Sequence, residues 1–274
     1  MKLYRVSAFL KTEFGGNKAG VCINADALSD KEMQQIAHDV GYSETAFVLK
    51  SDIADFKVRF FSPISEVDLC GHATIATFNL LRDLNIIKEG LYTQETKVGV
   101  LALKVQKETV FMEQNNPVFD EDIDESEISL IFNNKHFIHE TLPIKVVSTG
   151  LREIFLPIQS IEALNELNPN FEEMIELCIK YQVIGIHAFS LSEDVDAYGR
   201  NFAPMVGINE ESATGTSNGA LGCYLHKFHH QKSKCVLRQG YSMNAPSEIV
   251  TELELNNKTI TKVWVGGTAK AIKK

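Results

Sequence analysis

Glu44, Cys70 and His72 are the side chains of this sequence best suited to moving a proton. Glu44 lies between Val40 and the apolar run Ala46-Phe47-Val48-Leu49. Burial favours the acid form of a carboxyl group, so a partly buried glutamate suits proton transfer near neutral pH. Cys70 precedes Gly71-His72-Ala73-Thr74, which reads as a turn entering a helix. A thiolate at a helix N-terminus is stabilised, which makes Cys70 a second candidate acid/base. A similar joint occurs at Thr214-Gly215-Thr216-Ser217-Asn218. Glycine at such a joint lets a ligand approach the backbone closely, and the helix start offers unpaired N–H groups. With the helix dipole, these favour a carboxylate or a developing enolate-like charge. Cys70 and His72 have no further metal ligand in their segment, so no metal site is expected there. His226, His229 and His230, among Lys227, Lys232 and Lys234, read as a solvated helix end.

The elements that carry these residues occur twice. Arg59-Phe60-Phe61-Ser62-Pro63 resembles Arg200-Asn201-Phe202-Ala203-Pro204, 141 residues later. Gly71 and Gly215 are 144 apart, and Ser43–Leu49 resembles Gly185–Leu191 at an offset of 142. Ser29-x-x-Glu32 is a capping box, followed by Met33, Ile36, Ala37 and Val40 at helical spacing. In the second half, Asn168-Pro169 offers a cap before Phe171, Met174, Ile175 and Cys178. Helices are expected over 72–83 and 216–228, and hairpins over 101–112 and 249–265. A boundary is expected near Asn115-Asn116-Pro117. The acidic stretch Asp120–Glu125 reads as a solvated linker or exposed face. In this alignment Glu44 faces Ile186 and Cys70 faces Ala213. A carboxylate present in one half alone is not there for shared packing. With no cysteine at Ala213, a cysteine–cysteine epimerase is disfavoured.

Composition sets the outer limits. The chain has 274 residues, 44% hydrophobic and 23% charged, with a formal charge of −9. That balance argues against a nucleic-acid partner, which needs a basic face. No apolar run reaches the roughly 20 residues of a membrane span, and the start lacks a secretory signal pattern. Five widely spaced cysteines without a Cys-x-x-Cys pair fit a reducing, cytoplasmic setting.

A family resemblance rests on several segments. They are Gly15–Val21, Leu28–Ala37, Ser43–Val48, Val58–Pro63, Glu66–Thr74, Gly199–Pro204, Glu211–Gly215, Gln239–Met243 and Val265–Gly267. Together they resemble the phenazine-biosynthesis-like (PhzF-like) isomerases over almost the whole chain. The resemblance implies an α+β, diaminopimelate-epimerase-like fold. It has two pseudo-symmetric halves, each a curved, barrel-like mixed sheet around a central helix, with the site in the cleft between. It implies residues 1–116 and 117–274 as the halves, with a last strand, about 263–274, packing back on the first. It also implies a homodimer that uses no cofactor or metal. The family's best-known activity isomerises trans-2,3-dihydro-3-hydroxyanthranilate through a glutamate acid/base. That role maps to Glu44, and substrate contacts map to Asn17, Gly71, His72, Glu211, Gly215 and Thr216.

Some positions depart from the family pattern. Its Glu-Asp-Pro-Val-Thr-Gly-Ser is here Glu210-Glu211-Ser212-Ala213-Thr214-Gly215-Thr216. Its Gly-Arg-Pro-Ser is Asn244-Ala245-Pro246-Ser247, and its Gly-Asn-Pro is Gly16-Asn17-Lys18. The expected activity is therefore proton transfer on a small carboxylate-bearing metabolite, without the phenazine substrate following. Two alternatives stay open: an amino-acid epimerase or racemase using Glu44 with Cys70, and a non-catalytic metabolite-binding protein.

Overall fold

The repeat read from the sequence is a repeat of strands and helices in the computed structural model, which describes residues 1–132 and 137–272. The chain forms two units, Met1–Glu113 with Gly266–Lys274, and Gln114–Val265. In the first, β1 (Lys2–Ala8) pairs antiparallel with β2 (Asn17–Ile23). Helix α1 (Asp30–Val40) then leads to β3 (Glu44–Leu49), parallel to β2. Next, β4 (Phe56–Phe61) pairs with β3, and with the short β5 (Glu66–Val67) at one end. Helix α2 (Gly71–Asp83) follows. The unit continues through β6 (Gly90–Thr96), parallel to β4, β7 (Gly99–Val105) and β8 (Val110–Gln114).

The second unit uses the same order. β9 (Val118–Asp122), α3 (Glu125–Phe132) and β10 (Lys145–Ser148) lead to β11 (Arg152–Ile158). After α4 (Ile161–Glu166) and α5 (Phe171–Tyr181), β12 (Ile186–Leu191) lies parallel to β11. Then come β13 (Ala197–Ala203), the short β14 (Ile208–Glu211) and α6 (Gly215–Leu225). β15 (Lys234–Gln239) runs parallel to β13, and β16 (Ser247–Asn256) and β17 (Thr259–Gly267) complete the set. Finally β18 (Ala269–Ala271) returns to the first unit, with Val6 opposite Ala271. The last two residues of the strand expected at 263–274 lie outside the described residues. No described helix is long and apolar enough to cross a membrane.

Each unit has one helix buried on all sides. Every residue of α2 from His72 to Leu81 is buried, as are Ser217–Leu225 of α6. A helix that is apolar all round belongs inside a sheet, not on it. The outer helix α1 instead buries one stripe, Met33 and Ala37, against Cys22, Phe47 and Phe61. Its capping box forms, with Glu32 N donating to Ser29 Oγ at 3.4 Å and Ser29 N to Glu32 Oε2 at 2.8 Å. Such a cap contributes about 1 kcal/mol. Gly41 ends the helix in the left-handed region, φ 69°. The cap of α5 is Asn170, whose Oδ1 accepts from Glu172 N, and not Asn168. α6 ends at Leu225, short of the expected 228, and passes into a wider turn over His226–His230.

The twice-occurring Arg-x-Phe does the same work in both units. Arg59 forks Glu66 and stacks 5.1 Å over the Phe61 ring. Arg200 forks Glu210 and stacks 4.9 Å over Phe202. The motif is thus a structural clamp between neighbouring strands. The acidic stretch is an exposed face of β9 and not a linker: Asp120 and Glu121 pair with Arg152, and the exposed Asp122 with Lys145.

The strand pairings correct the alignment of the halves. Phe47 lies opposite Arg59, and Ala188 opposite Arg200. Since the two arginines are one motif position, Phe47 corresponds to Ala188 and Glu44 to Gly185, not Ile186. The faces agree. Phe47 packs with Met33 of α1, whereas Phe189 packs with Leu221 and Tyr224 of α6. A slip of one residue exchanges the two faces of a strand. Cys70 likewise corresponds to Thr214, because each is the N-cap residue of its buried helix, and not to Ala213.

Candidate active site

Two short loops bring the acid/base candidates together in the first unit. Glu44 opens β3 immediately after the Gly41 turn. Its side chain points away from the α1 face that Phe47 occupies, because the two are three residues apart in a strand. Cys70 is the N-cap of α2 in extended conformation, φ −139° and ψ 115°, and its side chain does not cap the helix. The sulfur is therefore turned to Glu44: Cys70 Sγ donates to Glu44 Oε2 at 3.5 Å. His72 Nε2 lies 3.4 Å from the same Oε2, and its Nδ1 lies 3.4 Å from Cys70 Sγ. Ser43 Oγ lies 3.5 Å from His72 Nε2. The Glu44 side chain is 17% exposed and that of His72 5%.

Burial holds the His72 pKa below its ordinary value, and the Glu44 carboxylate opposes that only in part. At neutral pH the imidazole is neutral. The three groups are thus a carboxyl in contact with an imidazole and a thiol at the start of a buried helix. They also lie within 4.8 Å of one another, close enough for one divalent cation to touch all three. Sequence spacing could not show this, because Glu44 is remote in the chain from Cys70 and His72.

The remaining first-unit candidates are Gly71 and Asn17. Gly71 is the first residue of α2, and a Cβ built there would meet nothing nearer than Met112 Cε at 3.7 Å. The glycine is therefore not required by packing. Asn17 opens β2 and is 8% exposed.

Glu211, Gly215 and Thr216 belong to the second unit. Thr214 Oγ1 donates to Glu211 Oε2 at 2.6 Å, and Gln239 Nε2 donates to the Glu211 carbonyl at 2.6 Å. Asn218 Nδ2 donates to Gln239 Oε1 and to the Thr214 carbonyl. This set fixes the loop into α6. The carboxylate expected to hold a substrate amine is engaged by a threonine of its own loop.

A further acid–histidine–cysteine group sits near the other end of α6. His230 Nε2 lies 3.4 Å from Asp196 Oδ1 and 3.9 Å from Cys235 Sγ. The His230 side chain is 13% exposed, so it is not the solvated loop residue expected from sequence. Lys232 Nζ, 2.7 Å from Asp196 Oδ1, already supplies a cation there.

Sequence reasoning missed one group entirely. Glu153, His187, Asn201 and Ser217 are buried polar residues in contact in the second unit. The signal that would have found them was the repeat itself, aligned correctly.

Comparison with known proteins bears on all of this. The family model for phenazine biosynthesis-like proteins matches residues 6–274. An uncharacterized isomerase of Clostridium acetobutylicum is 36% identical over 97% of this chain and 94% of its own length. The crystal structure of a Bacillus anthracis phenazine biosynthesis protein of the PhzF family superposes with a TM-score of 0.90 at 29% identity. It covers 100% of this chain and 98% of that one. A hydroxyproline epimerase from Agrobacterium vitis shares the fold, with a TM-score of 0.64 at 12% identity over 98% of this chain and 88% of that one. The fold is thus α+β and epimerase-like.

Proposed function

This chain belongs to the phenazine biosynthesis-like protein family and is an isomerase, and from that premise we propose that it moves a proton within a small carboxylate-bearing substrate, with Glu44 as its single acid/base. The observation that carries the reading is the arrangement of Glu44 against Cys70 and His72. Glu44 is the most exposed of the three, and both the thiol and the imidazole lie against its carboxylate.

In this mechanism the Glu44 carboxylate removes a proton from a carbon next to an acidifying group. It returns the proton to another carbon of the same conjugated system, so the substrate is isomerised and no atom is lost. The negative charge that develops is met by the backbone N–H groups at the start of α2. A helix start offers such groups already oriented, so they cost no reorganisation as charge builds. Gly71 lets the substrate approach that backbone. Every step uses groups of the protein, so the reading calls for no cofactor. Glu211, Gly215 and Thr216 are carried as substrate contacts by their positions in the family motif, with Glu211 in place of its aspartate and Thr216 in place of its serine.

The test is Glu44→Gln with solvent deuterium exchange into a substrate that the wild type turns over. Loss of about 10²-fold or more is expected when a general acid/base is removed. Exchange at an undiminished rate in the variant would refute the assignment.

A further inference from the structure

The sharpest difference between the two units is a buried group of four. Gly20 pairs with Thr45 and Ile154 with Ile186, so Glu153 stands where the first unit has Ala19. On the same alignment His187 matches Ala46 and Asn201 matches Phe60. Counting from the two helix starts, Ser217 matches Ala73. All eight residues are 1% exposed or less. One unit fills these positions with Ala, Ala, Phe and Ala; the other fills them with a carboxyl, an imidazole, an amide and a hydroxyl.

The polar set is connected. Asn201 Nδ2 donates to Glu153 Oε1 at 2.7 Å and to Ser217 Oγ at 3.1 Å, and lies 3.2 Å from His187 Nδ1. It joins β11, β12 and β13 to the first turn of α6. It is also costly. His187 Nε2 and Asn201 Oδ1 are buried without a hydrogen-bond partner, at about 1–3 kcal/mol each. The first unit shows that the same arrangement of strands and helix closes over apolar side chains without that cost. Stability therefore does not account for the group.

We propose that Glu153 is a positioning residue which, through Asn201 and Ser217, fixes the Gly215–Thr216–Ser217 turn as a ligand-holding edge of the second unit. The inference rests on the reading of Gly215 and Thr216 as substrate contacts. Burial pushes the Glu153 pKa up, against the pull of Ser217 and Asn201. Burial thus favours the uncharged acid, which can both donate and accept, a role glutamine reproduces. Within its unit Glu153 also faces Cys178, whose thiol burial raises to about 12, so no anion on that side competes with it.

Three variants test this: E153Q, E153A, and the exchange E153A/H187A/N201F/S217A, which installs the first unit's residues. Two readouts apply. Amide hydrogen exchange at 215–218 needs no substrate, and KM against kcat uses the proton-transfer assay. E153Q is expected to match the wild type in both. The four-residue exchange is expected to keep the wild-type urea midpoint or exceed it. Its amides at 215–218 are expected to exchange about tenfold faster or more, and KM to rise by a similar factor. Its kcat–pH profile is expected to stay unchanged. If that variant does not fold, E153A gives the same local readout. Unchanged amide exchange and KM in a folded variant would overturn the proposal, as would E153Q behaving like E153A. If E44Q leaves proton exchange intact, the Glu44 reading falls while amide exchange still decides this one.

Discussion

The Cys70 thiol and the Glu44 carboxylate are direct neighbours, 3.5 Å apart, with the thiol donating. Two bases that act on opposite faces of one carbon must each stand about 3–3.5 Å from it, with the carbon between them. Groups that already touch cannot flank a stereocentre in that way. If Glu44 is the acid/base proposed above, the pair acts as one centre, and this geometry favours proton transfer on a single face over epimerisation by Glu44 with Cys70.

Cys70→Ser separates the two mechanisms. A one-face isomerase is expected to keep kcat within about tenfold of wild type, because serine still donates to Glu44. A fall of several orders of magnitude in steady-state turnover would point to a two-base reaction.

The two arginine clamps are expected to differ in strength. Arg200 is 10% exposed, forks Glu210, and also donates to the carbonyls of Leu164, Asn165 and Leu167. Removing it leaves a largely buried carboxylate with the Ser242 hydroxyl but no cation, so R200A is expected to lose about 3 kcal/mol or more in urea unfolding. Arg59 pairs partly with Asp30, which is 78% exposed, and R59A is expected to cost about 1–2 kcal/mol. Equal losses would show that burial does not set the difference.

Acid should weaken the fold through His187. Burial holds its pKa at about 3 in the folded chain, against about 6.5 when unfolded. Between those values the unfolded chain takes up a proton that the folded chain does not. Stability therefore falls as pH drops below about 6.5, by at most about 1.4 kcal/mol per unit from this group. His187→Phe is expected to flatten that part of a urea-midpoint against pH curve. Glu153 acts with the opposite sign. Its raised pKa favours the protonated folded form, so its contribution declines as pH rises past the ordinary carboxylate range, and E153Q removes that decline.

Glycine at Gly185 and at Gly71 serves different ends. A Cβ at Gly185 would stand 1.8 Å from the Phe202 carbonyl oxygen, so G185A is expected to lose about 4 kcal/mol or to fail to fold. At Gly71 there is room, and G71A is expected to keep stability within about 1 kcal/mol. A loss of proton exchange in a stable G71A would show that the substrate needs close approach to this backbone. Full activity would remove Gly71 from the site.

The turns and helix starts were legible in the sequence because they rest on local chemistry. The Ser29–Glu32 cap, the joints at Gly71 and Gly215 and the two hairpins all depend on a few adjacent residues. Register was not. Ala46-Phe47 and Ala188-Phe189 look alike, yet the two phenylalanines face opposite sides of their strands, since similarity of letters carries no information about facing. That single slip placed Ile186 opposite Glu44 and hid Glu153 behind an unremarkable strand. The trio of Glu44, Cys70 and His72 was legible as separate residues, and only the β3–α2 packing made it one group.

The return of β18 to β1 has a consequence for synthesis. Phe9 N donates to the Thr268 carbonyl, and Asn79 of α2 donates to the Gly267 carbonyl. The first unit's sheet and its buried helix thus depend on residues translated more than 150 positions after Glu113. On the ribosome, β1 waits with one open edge until residues 269–271 have been made. The second unit has all its strands by then. A nascent chain that stops short of β18 therefore carries Glu44 without the strand that closes its unit.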